Sequence, residues 1–132
     1  YGKIIFYIFF FILQNINMSV VSKIRIYRSQ AYKEWHKSLS DKDQRIIDAR
    51  IDTFKNEGLL IGFKQLDKML SLFEFKWVSG IRVYFSLLQD KNGNFMLLLE
   101  GGNKNSQGKD IVNSKNIIIK AVLGIKKKAG KK

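Results

Sequence analysis

The tightest constraint on this chain lies between Leu72 and Leu99. Phe73, Phe75 and Trp77 alternate with Glu74 and Lys76. After a short gap, Val83, Phe85 and Leu87 alternate with Arg82, Tyr84 and Ser86. A period of two sends successive side chains to opposite faces, so each segment reads as a strand with one apolar face. Asn92-Gly93 then predicts a tight hairpin turn, with positive φ at both central residues. Phe95–Leu99 (FMLLL) is apolar on both faces, the pattern of a central strand covered twice. Gly101-Gly102 breaks it. Three consecutive strands therefore share a Phe/Trp/Val face that needs a cover.

The cover is legible on either side of this block. Ser22–Arg28 alternates Ile24 and Ile26 with Arg25 and Tyr27, which fits an edge strand. Ser29 stands where an N-cap would be, and Tyr32, Trp35 and Leu39 follow at helical spacing. Ser40-Asp41 opens a second helix. There Ile47, Ile51 and Phe54 form the apolar stripe, Arg45, Asp48 and Asp52 fall away from it, and Gly58 sits at the terminating position. Residues 59–71 are mixed, with room for a strand near Gly62–Leu66 and a loop at Asp67–Ser71. Gln107–Leu123 is a final helix with Ile111, Ile118 and Val122 on one side. The predicted fold class is α+β. Two N-terminal helices pack on one face of a mainly antiparallel four-stranded sheet, a C-terminal helix follows, and the other sheet face stays open.

Length and composition narrow the chemistry. The 132 residues suit one domain. Cysteine is absent and there is one histidine, so disulfides, thiolate metal sites and a histidine zinc site are excluded. Carboxylates are sparse, and the chemistry expected is metal-independent, without a cofactor. The formal net charge is +13, and removing the five lysines within residues 126–132 still leaves +8 on residues 1–125. Such an excess favours a polyanionic partner: nucleic acid, an anionic membrane surface or an acidic protein. The chain begins at Tyr1, and Ile4–Leu13 is an unbroken apolar run of ten. A membrane-spanning helix needs about 20 such residues. Three readings of this run stand: a leader preceding a start at Met18, a signal or anchor segment, and a genuine extra element. The first is adopted, because a strand begins soon after Met18. It gives a non-native leader at 1–17, a domain at 18–125 and a Lys-rich tail at 126–132. That tail is either a nonspecific attractor of RNA or inert.

The polar sides of the strands raise a functional question. Glu74, Lys76, Arg82 and Tyr84 project from the face opposite the apolar one, and neighbouring strands bring them within reach. Lys104 follows FMLLLE at the same sheet end if β-strand order allows. One reading is a solvated face. The other is a phosphodiester site. RNA can be cut without metal when its 2′-OH attacks the adjacent phosphate. That requires a base, cations for the charge gathering on phosphorus, and an acid for the leaving oxygen. Arginine suits the charge-stabilising role, and a lysine crowded by other cations can act as base. Tyr84 offers a ring for stacking on a base or a proton to donate.

Four segments carry a resemblance. AYKEWHKSL, IIDARIDTF, GIRVYF and LLLEGGNKNSQGKDI, in that order, resemble the phage-derived branch of the RelE/HigB/ParE toxin superfamily. Members of that branch read like G-Y-R-V-Y-F followed by L-L-x-G-G-x-K-x-x-Q-x-x-D-I, and the likeness runs from about Ile24 to Ile119. It implies a compact α+β fold with two helices against an antiparallel sheet. It also implies a cytoplasmic toxin neutralised by a cognate antitoxin, often a helix-turn-helix protein, with no membrane role. For the RelE and HigB members it implies metal-independent cleavage of mRNA, commonly on the ribosome. By the same resemblance Arg82 would hold the scissile phosphate, Lys76 would bind phosphate or help as base, and Lys104 would be a further phosphate ligand. Glu74, Tyr84 and Lys109 complete the RNA-binding set. Ile81 departs from the usual tyrosine, His36 from the usual leucine, and the segment from Lys76 to Gly80 is short. His36 is read as a surface helix residue. The rivals to a ribonuclease are a ParE-like non-catalytic inhibitor of DNA gyrase, an inactive toxin relic and a membrane-associated basic protein. One fold serves toxin and gyrase inhibitor alike, so fold does not choose between them.

Overall fold

The computed structural model describes residues 24–130, with side chains through residue 124; the expected leader at 1–17 lies outside the described residues. The elements run β1 (Arg25–Arg28), α1 (Gln30–Lys37), α2 (Asp41–Glu57), β2 (Phe63–Asp67), β3 (Leu72–Lys76), β4 (Arg82–Asp90), β5 (Gly93–Gly102), a single 3-10 turn (Lys104–Ser106) and α3 (Gln107–Gly130). They form an α+β fold around one five-stranded sheet of order β1-β5-β4-β3-β2. β1 runs parallel to β5, and the other neighbours are antiparallel.

The helix boundaries follow the local chemistry. The Ser29 hydroxyl accepts from the Tyr32 N–H at 3.0 Å, and the Ser40 hydroxyl accepts from the Asp43 N–H at 3.2 Å. Each satisfies a backbone donor that the first helical turn leaves orphaned. Gly58 closes α2 in the left-handed conformation at φ 67°, its N–H donating to the Phe54 carbonyl at 2.9 Å. Ile47, Ile51 and Phe54 are buried, as their spacing predicts. They meet Phe73, Phe75, Val83, Phe85, Leu87, Met96 and Leu98 in the main core. Within it the Phe75 and Phe85 rings stack with centroids 4.3 Å apart. Each such side chain stabilises the fold by about 1.5–3 kcal/mol relative to exposure.

Three expectations need correction. The sheet has five strands rather than four, because Phe63–Asp67 pairs with β3. Phe63 packs toward the α1/α2 core while Leu66 packs toward the opposite face, so no single face of this segment carries an apolar row. The hairpin turn does not place two central residues at positive φ. Asp90 pairs with Gly93 across Lys91-Asn92, and of these only Gly93 has positive φ, at 111°. The Asn92 N–H instead donates to the Asp90 carboxylate at 2.8 Å. Finally, the second sheet face is not open. α3 lies on it, and Ile118 buries against Leu72, Tyr84 and Leu99, with Ile111, Val122 and Leu97 alongside. The doubly apolar FMLLL strand already required a cover on that side. α3 also runs to Gly130, beyond the helix end read at Leu123. Among the described residues, no helix is long and apolar enough to cross a membrane.

Two close approaches hold the outer elements. Trp35 of α1 lies flat against the backbone at Gly101, where an added Cβ would overlap the indole ring. Arg25 on β1 reaches the hairpin turn with two bonds to Asp90, at 2.6 and 3.0 Å, and one of 2.8 Å to the Gly93 carbonyl. Gly101→Ala should therefore cost about 1–3 kcal/mol through overpacking, read from the urea midpoint. The Arg25 bonds hold the Asp90 carboxyl below its ordinary pKa of 3.8, against the opposing effect of burial. A lowered folded-state pKa means the pair stabilises above the ordinary aspartate range and is lost as pH falls through the lowered value. Asp90→Asn should thus lose less stability than the wild type on acidification below pH ~4, measured by thermal unfolding across that range.

Candidate functional site

β3, β4 and β5 end together at one edge of the molecule. Lys76 is the Cα partner of Arg82, and Arg82 is the partner of Gly102. Lys104 opens the 3-10 turn two residues beyond Gly102. The strand order therefore gathers Lys76, Arg82 and Lys104 at one sheet end. Lys76 and Lys104 are exposed, as is Lys109 on the first turn of α3. The next row inward pairs Glu74 with Tyr84 and Tyr84 with Glu100.

The backbone at Lys76 is fixed from both sides. Its N–H donates to the Gly62 carbonyl at 3.3 Å, and its carbonyl accepts from Arg50 Nη1 at 2.7 Å. The Arg50 guanidinium stacks over the Trp77 ring, 4.0 Å from the centroid. Gly62, at φ 65°, allows this guanidinium to lie against it. The link to β4 is a compact turn in which the Trp77 N–H donates to Ile81 at 3.0 Å and the Gly80 N–H to Trp77 at 2.9 Å. Gly80 has φ 97°, which a residue with a side chain rarely adopts. The short connection thus sets Lys76 opposite Arg82.

Arg82 is more sheltered than an outward-facing strand position suggests, with 8% exposure. Its Nη1 donates to Glu74 Oε2 at 3.3 Å, and Gln107 Nε2 donates to the same oxygen at 3.0 Å. Arg82 Nε is buried without a hydrogen-bond partner. Glu74 is 3% exposed and Tyr84 is fully buried beneath α3, so the face expected to present them to a ligand is covered. Tyr84 offers no free ring surface for a base to stack on. Burial raises its pKa, with the Glu74 and Asp110 charges adding to the effect. Burial likewise raises the Glu100 carboxyl, and the Asp110 charge contributes.

The segment EGGNKNSQGKD is built largely for turning the chain. Gly101 admits Trp35, and Gly102 admits the Asp110 carboxylate and the Ser106 hydroxyl, where any Cβ would collide. Asn103 Oδ1 accepts from the N–H groups of Asn105 and Ser106, at 2.8 and 3.2 Å. Ser106 Oγ donates to buried Asp110 at 2.5 Å, and Gln107 reaches Glu74. Lys104 and Lys109 take no part in this network and point to solvent. His36 is half-buried rather than a simple surface residue. Its ring lies on Tyr32 and its Nε2 is 2.9 Å from Asp48, tying α1 to α2. Arg50 was missed by motif reading, and Gln107 and Asp110, though fixed positions of the Q-x-x-D-I pattern, were given no role there. The partners of Arg50 and Gln107 lie far away in sequence, at Lys76 and Glu74, while Asp110 is held by nearby Ser106. Among the described residues, no group of three or more His, Asp or Glu side chains is placed to hold a metal ion.

Comparison with protein-family models and with curated proteins returns no match for this sequence.

The Arg82–Glu74 pair is a clear target. Removing one member of a buried pair strands the other charge, so Glu74→Ala should destabilise by about 3–5 kcal/mol. Lys76→Ala, at an exposed position, should stay within about 0.5 kcal/mol of the wild type. Chemical denaturation of both variants checks the contrast.

Proposed function

We propose that the chain is a RelE-type toxin that cleaves mRNA without a metal ion, with its phosphate-handling site at the shared end of β3, β4 and β5. The observation that carries this reading is the juxtaposition of Lys76, Arg82 and Lys104 by three separate elements at that end. Glu74 already offsets the Arg82 charge, while Lys76 and Lys104 stand exposed beside it and attract an anion. A phosphodiester fits that demand. Arg82 is held in place by Glu74 and keeps a small exposure of 8% at this sheet end. It would stabilise charge on the phosphorus-bound oxygens, which the fixed guanidinium geometry suits. Exposed Lys104 and Lys109 would bind flanking phosphates. Lys76 either pairs with the scissile phosphate or takes the 2′-OH proton as that oxygen closes a 2′,3′-cyclic phosphate, and the displaced 5′ oxygen takes its proton from water. Glu74 acts here by orienting Arg82, with Gln107 fixing the same carboxylate oxygen. A cytoplasmic setting, the ribosome as the place of cleavage and a neutralising antitoxin belong to the same reading, through the sequence resemblance.

The test is inducible expression of the full chain in bacteria, with mapping of mRNA 5′ ends. Growth arrest with new 5′ ends is the expected outcome. Lys76→Ala and Lys104→Ala, whose side chains lie outside the core, should each lower cleavage at least tenfold, the scale of one general acid–base or electrostatic group. Arg82→Lys, keeping a charge for Glu74 but not the planar fork, should do the same. Arrest with intact mRNA and induced DNA damage would replace the reading with gyrase inhibition, and no arrest would mark an inactive relic.

A further inference from the structure

α3 carries two apolar lines, and only one is used. Ile111, Ser114, Ile118 and Val122 face the sheet, where Ser114 and Ile118 are fully buried. A second line runs along the outward flank. Val112, Ile119 and Leu123 are 58%, 44% and 54% exposed, with exposed Asn116 between Val112 and Ile119. Their spacing of four, three and four residues is that of a heptad seam, the geometry by which one helix receives another. An asparagine inside such a seam fixes register at some cost in stability. Among the described residues, none of the apolar clusters contains Val112, Ile119 or Leu123.

The charges beside the seam choose among occupants. Lys115 and Lys120 border it, at the positions that set partner choice in paired helices. Lys115 is partly engaged with Asp67 at 3.5 Å, and Lys120 is exposed. From residue 107 to 130 the helix sequence contains six lysines and one acidic residue. That acid, Asp110, is buried and bonded to Ser106. A second copy of this helix would set lysine against lysine. A membrane surface calls for a broad apolar face, whereas Ile111, Ile117, Ile118 and Val122 are committed to the sheet. RNA would use the lysines and leave the apolar seam wet.

We propose that the seam Val112–Asn116–Ile119–Leu123 docks an acidic amphipathic helix supplied by another protein, with Lys115 and Lys120 pairing to carboxylates that flank its apolar stripe. The inference does not rest on the ribonuclease reading, since it uses neither the β3–β5 end nor any residue there.

The probes are two synthetic three-heptad peptides with the same apolar seam and one asparagine. One carries glutamate and the other lysine at the flanking positions. Binding of each labelled peptide to the full chain is followed by fluorescence anisotropy at two salt concentrations. The glutamate peptide should bind at least tenfold more tightly than the lysine peptide, and less tightly at high salt. Ile119→Ser combined with Leu123→Ser should weaken it roughly tenfold, with unchanged circular dichroism. Lys120→Glu, a fully surface change, should narrow the preference between the peptides and serves as the test should the double variant fold poorly. Absence of binding, or equal binding of the two peptides, overturns the proposal. So does a concentration-dependent dimer in sedimentation, or binding to phosphatidylserine vesicles, that the Ile119→Ser/Leu123→Ser change abolishes; these would give the seam to a second copy or to a membrane surface.

Discussion

Burial of the β4–β5 ladder on both faces is the constraint from which the remaining architecture follows. From Arg82 to Leu88 every residue of β4 is buried, and β5 contributes Met96, Leu98 and Leu99 with no exposure. A strand pair covered twice needs two separate layers. α1 and α2 provide one from before the sheet in sequence, and α3 provides the other from after it. The flanking strands then sit where those layers end. β1 and β2 lie at the two sheet edges, and with β3 they are shorter than the central β4 and β5.

The same burial governs the electrostatics. Enclosing a sheet face that carries Glu74, Arg82 and Tyr84 makes every unpaired polar atom costly, and the requirement is met only in part, since Arg82 Nε and the Tyr84 hydroxyl are buried without a partner. Glu74 answers with Arg82 and Gln107 on a single oxygen. The arrangement adds little net stability compared with an apolar substitute, but it specifies where Arg82 stands. Lys76, directly across from Arg82, escapes this requirement because it lies at the strand end and reaches water. One position is therefore held in a buried pair and its neighbour reaches water, although both are basic.

Most of the fold was legible in the sequence because most elements announce themselves locally. Ser29, Ser40 and Gly58 mark helix ends whatever the tertiary structure, and Ile47, Ile51 and Phe54 require a cover whatever supplies it. β2 was indistinct because Phe63 and Leu66 serve opposite faces. The site was harder to read. Alternation showed that Glu74, Arg82 and Tyr84 share a face, but whether that face is wet depends on where α3 docks, which is a long-range matter. Phe95–Leu99 held the clue, since a strand apolar on both sides has no business beside an open face. The strongly patterned EGGNKNSQGKD segment mixes two kinds of demand. Gly101, Gly102, Asn103, Ser106 and Asp110 are set by chain reversal, and Lys104 and Lys109 are not.

The parallel pairing of β1 with β5 also has a meaning for the order in which the structure can arise. Arg25 aligns with Phe95, so the first described strand has no partner until the last described strand exists. During synthesis from the N-terminus, α1 and α2 emerge carrying Tyr32, Ile47, Ile51 and Phe54 with no sheet to receive them. Closing that long loop is entropically unfavourable before the hairpin is in place to reward it. The Arg25–Asp90 clamp joins the first described strand to the hairpin turn, so it cannot form before that turn exists.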